Sequence, residues 1–296
     1  MTERKPLDGV AFAVMVLCTA LWGFQQVVIK LTAADISYVM QAGIRSVIAT
    51  VLVFLWICLK RIPMWEKDKT LRPGIVAGLL FGGEFVFIYA GLEHTAASRM
   101  VVFIYLAPVF TALGLHWWVP GEKLRRGQWA GVLLSFLGIF VAFFDGFFTS
   151  KNTLTGDLFG VIAAALWAAT TVLIRATRLA RVSATKTLFY QLAVSALMLP
   201  LASLAMGERG VVAVTPLALA GMAYQAVIVA FASYLAWFWL LTRYLAARLA
   251  VFSFLSPLFG VLAGVLVLDE PLTARFVVAA LLVGAGIVLV NRRSLP

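Results

Sequence analysis

Residues 99–138 and 248–286 carry nearly the same text. At a spacing of 149, Arg99, Val102, Phe103, Leu106, Pro108 and Phe110 fall on Arg248, Val251, Phe252, Leu255, Pro257 and Phe259. One deletion later, at 148, Glu122, Leu124 and Gly138 fall on Glu270, Leu272 and Gly286. A third stretch agrees at 145, where Ala20-Leu21-Trp22 and Lys30 fall on Ala165-Leu166-Trp167 and Arg175. A repeat of half the chain restricts the fold more than any single motif, because both halves must form the same unit. The expected units are residues 1–145 and 146–296.

The repeated unit belongs in a membrane. Of the 296 residues, 63% are hydrophobic and 12% charged, against about 25% charged in a soluble domain. Apolar runs recur to the C-terminus, so a signal peptide does not account for them. A span needs about 20 mainly apolar residues. Ten are expected, near 8–30, 36–59, 73–92, 97–118, 127–145, 157–179, 186–206, 216–240, 246–268 and 274–291. The fold class is therefore an all-α integral membrane protein. Five spans per unit is an odd number, so the second unit must lie inverted relative to the first.

Charge gives the orientation. With the N-terminus placed inside, 18 of the 24 Lys and Arg residues fall on the inner side and 5 on the outer, with Arg45 inside a span. Basic residues gather on the cytoplasmic side of membrane proteins, so both termini are expected there. The same one-sidedness accounts for the net charge of +11 without a nucleic-acid partner. Cys18 and Cys58 both lie in apolar runs and read as small core residues, not a disulfide framework.

Inverted repeats are the architecture of secondary transporters, whose substrate site lies near the midplane between the repeats. Polar groups at mid-span are therefore the first candidates, since a charge there is expensive and faces a cavity or a partner. Arg45 lies about nine residues, roughly 13 Å, into its span, and Glu84 is similarly deep. Three readings stand side by side: the two pair internally, Arg45 holds a helix in place, or Arg45 faces a substrate carboxylate while Glu84 attracts an ammonium or carries a proton. Facing the cavity together, they suit a zwitterion.

Aromatic and amide residues complete the candidate site: Trp22, Gln25 and Gln26 in the first span, Tyr89, Tyr105, Trp167 and Thr171, and Tyr234 and Trp237, with Tyr224, Gln225 and Ser233 nearby. Tyr and Trp offer a large apolar face and one hydrogen bond, the composition of ligand pockets. Trp22 and Gln26 share a helix face. Trp117, Trp118 and Trp129 lie near span ends and read as interface anchors. Gly74, Gly78 and Gly82, and again Gly260 and Gly264, form stripes that let helices approach closely. Pro108 and Pro257 each remove a helix hydrogen bond, at matched positions that serve either gating bends or static shape.

No phosphate-binding loop is present. His94 and His116 lack zinc spacing, and no serine sits in a Gly-x-Ser-x-Gly elbow. No enzyme activity, cofactor or metal is expected; the partners are a small-molecule substrate and the lipid bilayer. The sequence carries no signal for oligomeric state.

Leu-Trp-Gly followed by Lys30, the two proline helices, and the Glu122-Lys-Leu and Asp269-Glu270-Pro-Leu links resemble the drug/metabolite transporter superfamily in its ten-span EamA-type form. The glutamine- and aromatic-bearing first span is most similar to bacterial aromatic amino acid exporters of the YddG type. The resemblance implies a 5+5 inverted bundle around a central cavity, in the bacterial inner membrane, exporting aromatic and other neutral amino acids by alternating access. Broad drug or metabolite efflux, which needs an accessible carboxylate such as Glu84, is the alternative within the superfamily. A non-transporting membrane enzyme or receptor is the alternative outside it. One departure is Ala168-Ala169 where the first half has Gly23-Phe24, so the two lobes should differ chemically.

Overall fold

A computed structural model describes residues 7–64, 66, 68–92, 94–95, 97–147, 154–268 and 273–291. The second link, with Asp269 and Glu270, lies outside them, as do Arg4, Lys5, Lys67, Lys151, Arg292 and Arg293 of the charge count. The described chain is almost wholly helical. Hydrocarbon offers no hydrogen-bond partner to the backbone, so an apolar run of this length satisfies its own N–H and C=O groups as a helix.

The first half contains α1 (Gly9–Thr32), α2 (Tyr38–Lys60), α3 (Leu71–Leu92), α4 (Ala97–Ile104), α5 (Ala107–Trp118) and α6 (Arg126–Ala142). The second contains α7 (Leu154–Ala176), α8 (Ala184–Ala205), α9 (Pro216–Ala223), α10 (Tyr234–Arg243), α11 (Ala246–Ala250), α12 (Leu255–Leu268) and α13 (Ala274–Asn291). Among the described residues, nine helical segments are long and apolar enough to cross a membrane. The α6 helix has 17 residues and spans about 25 Å at 1.5 Å per residue.

Both proline helices are interrupted. The chain turns between α4 and α5 just before Pro108, and a 3₁₀ stretch, Val251–Phe254, precedes α12 and Pro257. A π-helical stretch, Tyr224–Ser233, joins α9 to α10. The expected span 216–240 gave no sign of it, because a π-turn adds a residue per turn without changing which residue types are apolar.

Among the described residues, loop contacts fall into two groups. On one face Tyr244 donates to Asp8 at 2.7 Å, Lys186 to Asp68 at 2.7 Å, and Glu122 pairs with Arg175. On the other, Ile36 bridges Val211, Thr215 donates to Asp35 at 2.5 Å, Arg99 pairs with Asp157 and Arg275 with Asp145. The first group holds most of the basic residues and is called the basic face. The α6 helix runs from Glu122 at the basic face to Asp145 at the opposite one.

Two helices pack directly on their own repeat counterparts. Under a shift of 146, which carries the capping Ser37 of α2 onto Ser183 of α8, the contact of Gly43 with Pro200 exchanges with that of Phe54 with Phe189. Under 148, the contact of Gly131 with Gly286 exchanges with that of Gly138 with Ala279. Residue numbers that rise on one helix while falling on the other mean that each pair is antiparallel. Backbone contact makes these sites intolerant: a Cβ on Gly286 would meet Ser135 Oγ and the Gly131 carbonyl. The first glycine stripe serves the same end, with Gly74 and Gly78 against Tyr190 and Val194 of α8.

Three expectations need adjustment. Cys18 is buried, but Cys58 is exposed on the outside of α2, because an apolar residue facing lipid looks the same in sequence as one facing a neighbour. Trp117 and Trp118 are exposed as interface anchors should be, whereas Trp129 is half-buried with its ring 6.2 Å from that of His116. Arg45 and Glu84 form no ion pair within 4 Å, so an internal pair is not what holds them.

Gly286→Ala should lower the melting temperature of the purified protein, since overpacking costs about 1–3 kcal/mol. Gly284→Ala, which meets nothing within 4 Å, should not. Equal melting of the two variants would mean that α6 and α13 are not in backbone contact.

At the basic face, the hydrogen bond from Lys186, then that from Thr70, holds the Asp68 carboxyl down at about 2. Its ordinary value is about 3.9, so a depressed carboxylate contributes stability above that value and loses it as pH falls through 2. Asp68→Asn should therefore lower the melting temperature at pH 6, with the difference from wild type shrinking below pH 4.

Candidate functional site

A cavity of about 490 Å³ lies between the two halves. All eleven side chains read from the sequence line it: Trp22, Gln25, Gln26, Arg45, Glu84, Tyr89, Tyr105, Trp167, Thr171, Tyr234 and Trp237. Pro108 and Pro257 line it as well. Tyr224, Gln225 and Ser233 do not. Tyr224 donates to the Leu21 carbonyl at 2.9 Å, and Gln225 donates to Gln41 at 2.8 Å between α2 and the π-helix.

The aromatic walls are built by packing across the repeats. The Trp22 indole N–H donates to Ser233 Oγ at 2.8 Å, and Ser233 donates to the Val229 carbonyl at 2.7 Å. The ring stands edge-on to Tyr234 at 6.3 Å and to Trp237 at 6.0 Å. Its repeat counterpart Trp167 stands edge-on to Tyr105 at 5.9 Å. Gly23 makes the Trp22 side possible: a Cβ there would strike the backbone of Ser256 and Gly260, so α1 and α12 touch along the second glycine stripe. π-Helical turns in helices often mark functional sites, and here the π-helix delivers Ser233 to Trp22.

Arg45 is the chemical centre. It is 1% exposed, and neither Nη1 nor Nη2 has a hydrogen-bond partner. The guanidinium carbon lies 4.6 Å from the centre of the Phe85 ring, and Glu84, Tyr89 and Tyr234 are its electrostatic neighbours. Glu84 is also buried. The wall thus presents one cation and one carboxylate at mid-depth, neither neutralised by the other through direct contact.

The cavity is closed at the basic face. Along α1 the lining passes from half-buried Trp22 to exposed Gln26 and Lys30 at the opposite face, while along α7 it ends at buried Thr171 and Ile174. Just beyond, Arg175 pairs with Glu122 and donates to the Leu241 carbonyl at 2.9 Å. Glu122 also accepts from the backbone N–H groups of Ala246 and Ala247 at 3.2 and 3.3 Å, where the start of α11 favours an anion. Lys30 and Arg175 occupy the same place in the repeat, yet one lines the exposed end and the other seals the buried end.

Sequence reasoning missed Gln191, Thr170, Ser253 and Ser256 in the wall. Gln191 carried a usable signal, an amide in the middle of an apolar span. The two serines carried none, since a serine inside a helix commonly bonds its own backbone, as Ser253 does to Ala250 at 2.6 Å.

The EamA-like transporter family model matches residues 9–144 and 154–292. The chain belongs to that family. It is a multi-pass membrane transporter of the drug/metabolite superfamily, and family membership indicates transport, not catalysis. It is 27% identical over 285 residues to an uncharacterized transporter of Archaeoglobus fulgidus, covering 95% of this chain and 96% of that one. It is 23% identical over 290 residues to a probable amino-acid metabolite efflux pump of Escherichia coli, covering 95% and 93%. A solved crystal structure superposes with a TM-score of 0.80 at 21% identity over 96% of this chain and 98% of that one; at that identity the likeness speaks for the fold alone.

Arg175→Gln should strip the buried Glu122 carboxylate of its cation, at a cost of about 3–5 kcal/mol. The expected readout is a lower melting temperature together with faster thiol labelling of a cysteine placed at Ile174 and approached from the basic face. Unchanged labelling would mean that the pair does not seal that end.

Proposed function

We propose that this transporter exports amino acids, aromatic and other neutral ones included, across a bacterial inner membrane. The carrying observation is the buried guanidinium of Arg45, whose two Nη atoms make no hydrogen bond. Buried donors left unpaired are costly, and a planar guanidinium fork matches a carboxylate. Glu84 in the same wall takes the ammonium, and the Trp22–Tyr234–Trp237 and Tyr105–Trp167 groups take the side chain. A volume near 490 Å³ falls within the range of small-ligand sites. The printed name of the E. coli relative points the same way.

Ten spans in two inverted units, 1–145 and 146–296, perform the transport by alternating access. The strict grouping of loop contacts supports this reading, as do the antiparallel α2/α8 and α6/α13 pairs. On this reading α6 is a short tenth span that the bilayer accommodates by local thinning. The basic face is cytoplasmic by its charge. The closed end is then cytoplasmic, the state left after release to the outside, and the breaks ahead of Pro108 and Pro257 are the matched bends of the two lobes.

The full chain in proteoliposomes should exchange labelled phenylalanine and other neutral amino acids. Arg45→Gln should weaken substrate binding by ~30-fold or more, since losing one side of a buried charge pair costs from about 2 kcal/mol upward. If Glu84 is the proton carrier, Glu84→Gln should remove the response to a pH gradient. Movement of cationic dyes without any amino acid would replace this reading with drug efflux centred on Glu84.

A further inference from the structure

Gln191 stands where the repeat would place a second arginine. The shift of 146 that carries the cap of α2 onto the cap of α8, and the Gly43–Pro200 contact onto the Phe54–Phe189 contact, also carries Arg45 onto Gln191. Both residues are 1% exposed, and both line the cavity between the halves. Those two contacts put residue 45 level with residue 198. Gln191 is therefore about 10 Å from Arg45 along the helix axes, at 1.5 Å per residue. Side chains lean toward the N-terminus of their own helix, so in this antiparallel pair Arg45 leans to the opposite face and Gln191 to the basic face.

The amide of Gln191 is poorly satisfied by the protein. Its Nε2 donates only to the Thr187 carbonyl of its own helix, at 3.4 Å, longer than the usual 2.7–3.2 Å. Its Oε1 accepts no hydrogen bond from a described residue. The other charged side chains in the wall are Glu84 at mid-depth and Lys30 at the exposed end.

Resting on the reading that Arg45 takes the substrate carboxylate, we propose that Gln191 determines specificity. Its amide is the polar group of the wall on the other lobe, too far from Arg45 to share the carboxylate held there. Being a neutral amide where the repeat relation would place a cation, it confines the site to substrates with a single carboxylate. A cation there would accept the far carboxylate of a dicarboxylate about 10 Å or more in length; an anion would repel the first.

The test is ligand-induced stabilisation of the purified full chain, read as a melting shift across a titration, with phenylalanine as the monocarboxylate and suberate and sebacate as dicarboxylates long enough to reach both positions. Gln191→Arg should bind the long dicarboxylates at least ten-fold more tightly than wild type, and Gln191→Glu should bind every carboxylate more weakly. The Arg45→Gln/Gln191→Arg double variant should recover phenylalanine binding that Arg45→Gln alone loses. If wild type binds phenylalanine while the Arg variant gains no dicarboxylate and the Glu variant binds phenylalanine equally well, the specificity role is overturned and the amino acid reading stands. If no carboxylate stabilises wild type, the amino acid reading falls and this inference falls with it. Should the Arg variant not fold, the Glu variant carries the test.

Discussion

Two helices of this protein lie antiparallel against their own repeat copies, with glycine backbones in contact. That constraint organises the rest. Gly131 and Gly286 bring α6 and α13 together, and Gly43 and Pro200 do the same for α2 and α8. With those pairs fixed, the remaining helices fall into exchanged contacts: α1 packs on α12 as α7 packs on α5. In hydrocarbon, close packing, not apolar burial, drives helix association. Small residues at the crossing points therefore do for this fold what a hydrophobic core does for a soluble one.

The cavity is a consequence of that arrangement. Spans from both halves surround it, while α6 and α13 contribute no side chain to its wall. Arg45 remains without a hydrogen-bond partner at its Nη atoms, and the surrounding rings hold each other edge-on across the repeat boundary. Buried donors left without hydrogen bonds in such a place oppose stability, which is why their presence argues for a ligand. By contrast Glu122 and Arg175, equally buried, neutralise each other at the basic face and leave nothing for a substrate.

Symmetry is broken where function needs it. Trp22 and Trp167 keep the same residue in both lobes, but Lys30 and Arg175 occupy the same repeat position with opposite fates, and the repeat position of Arg45 holds an amide, Gln191, not a second guanidinium. A two-fold scaffold thus encloses a cavity with a polar direction.

The sequence alone determined the helical, membrane-spanning class, the repeat and the residue types at mid-depth, because lipid forces apolar runs into helices and makes every polar residue among them conspicuous. The deep positions of Arg45, Glu84, Trp22 and Trp167 were legible for that reason. Tertiary structure decided what spacing cannot encode. It left Arg45 and Glu84 unpaired, turned Cys58 outward, and placed Ser233 under Trp22 through a π-helix. It closed the end beside Arg175 and brought Gln191 into the cavity wall. Each of these depends on how a helix is rotated and on what the neighbouring helix presents, and an apolar run reads the same whichever way it turns.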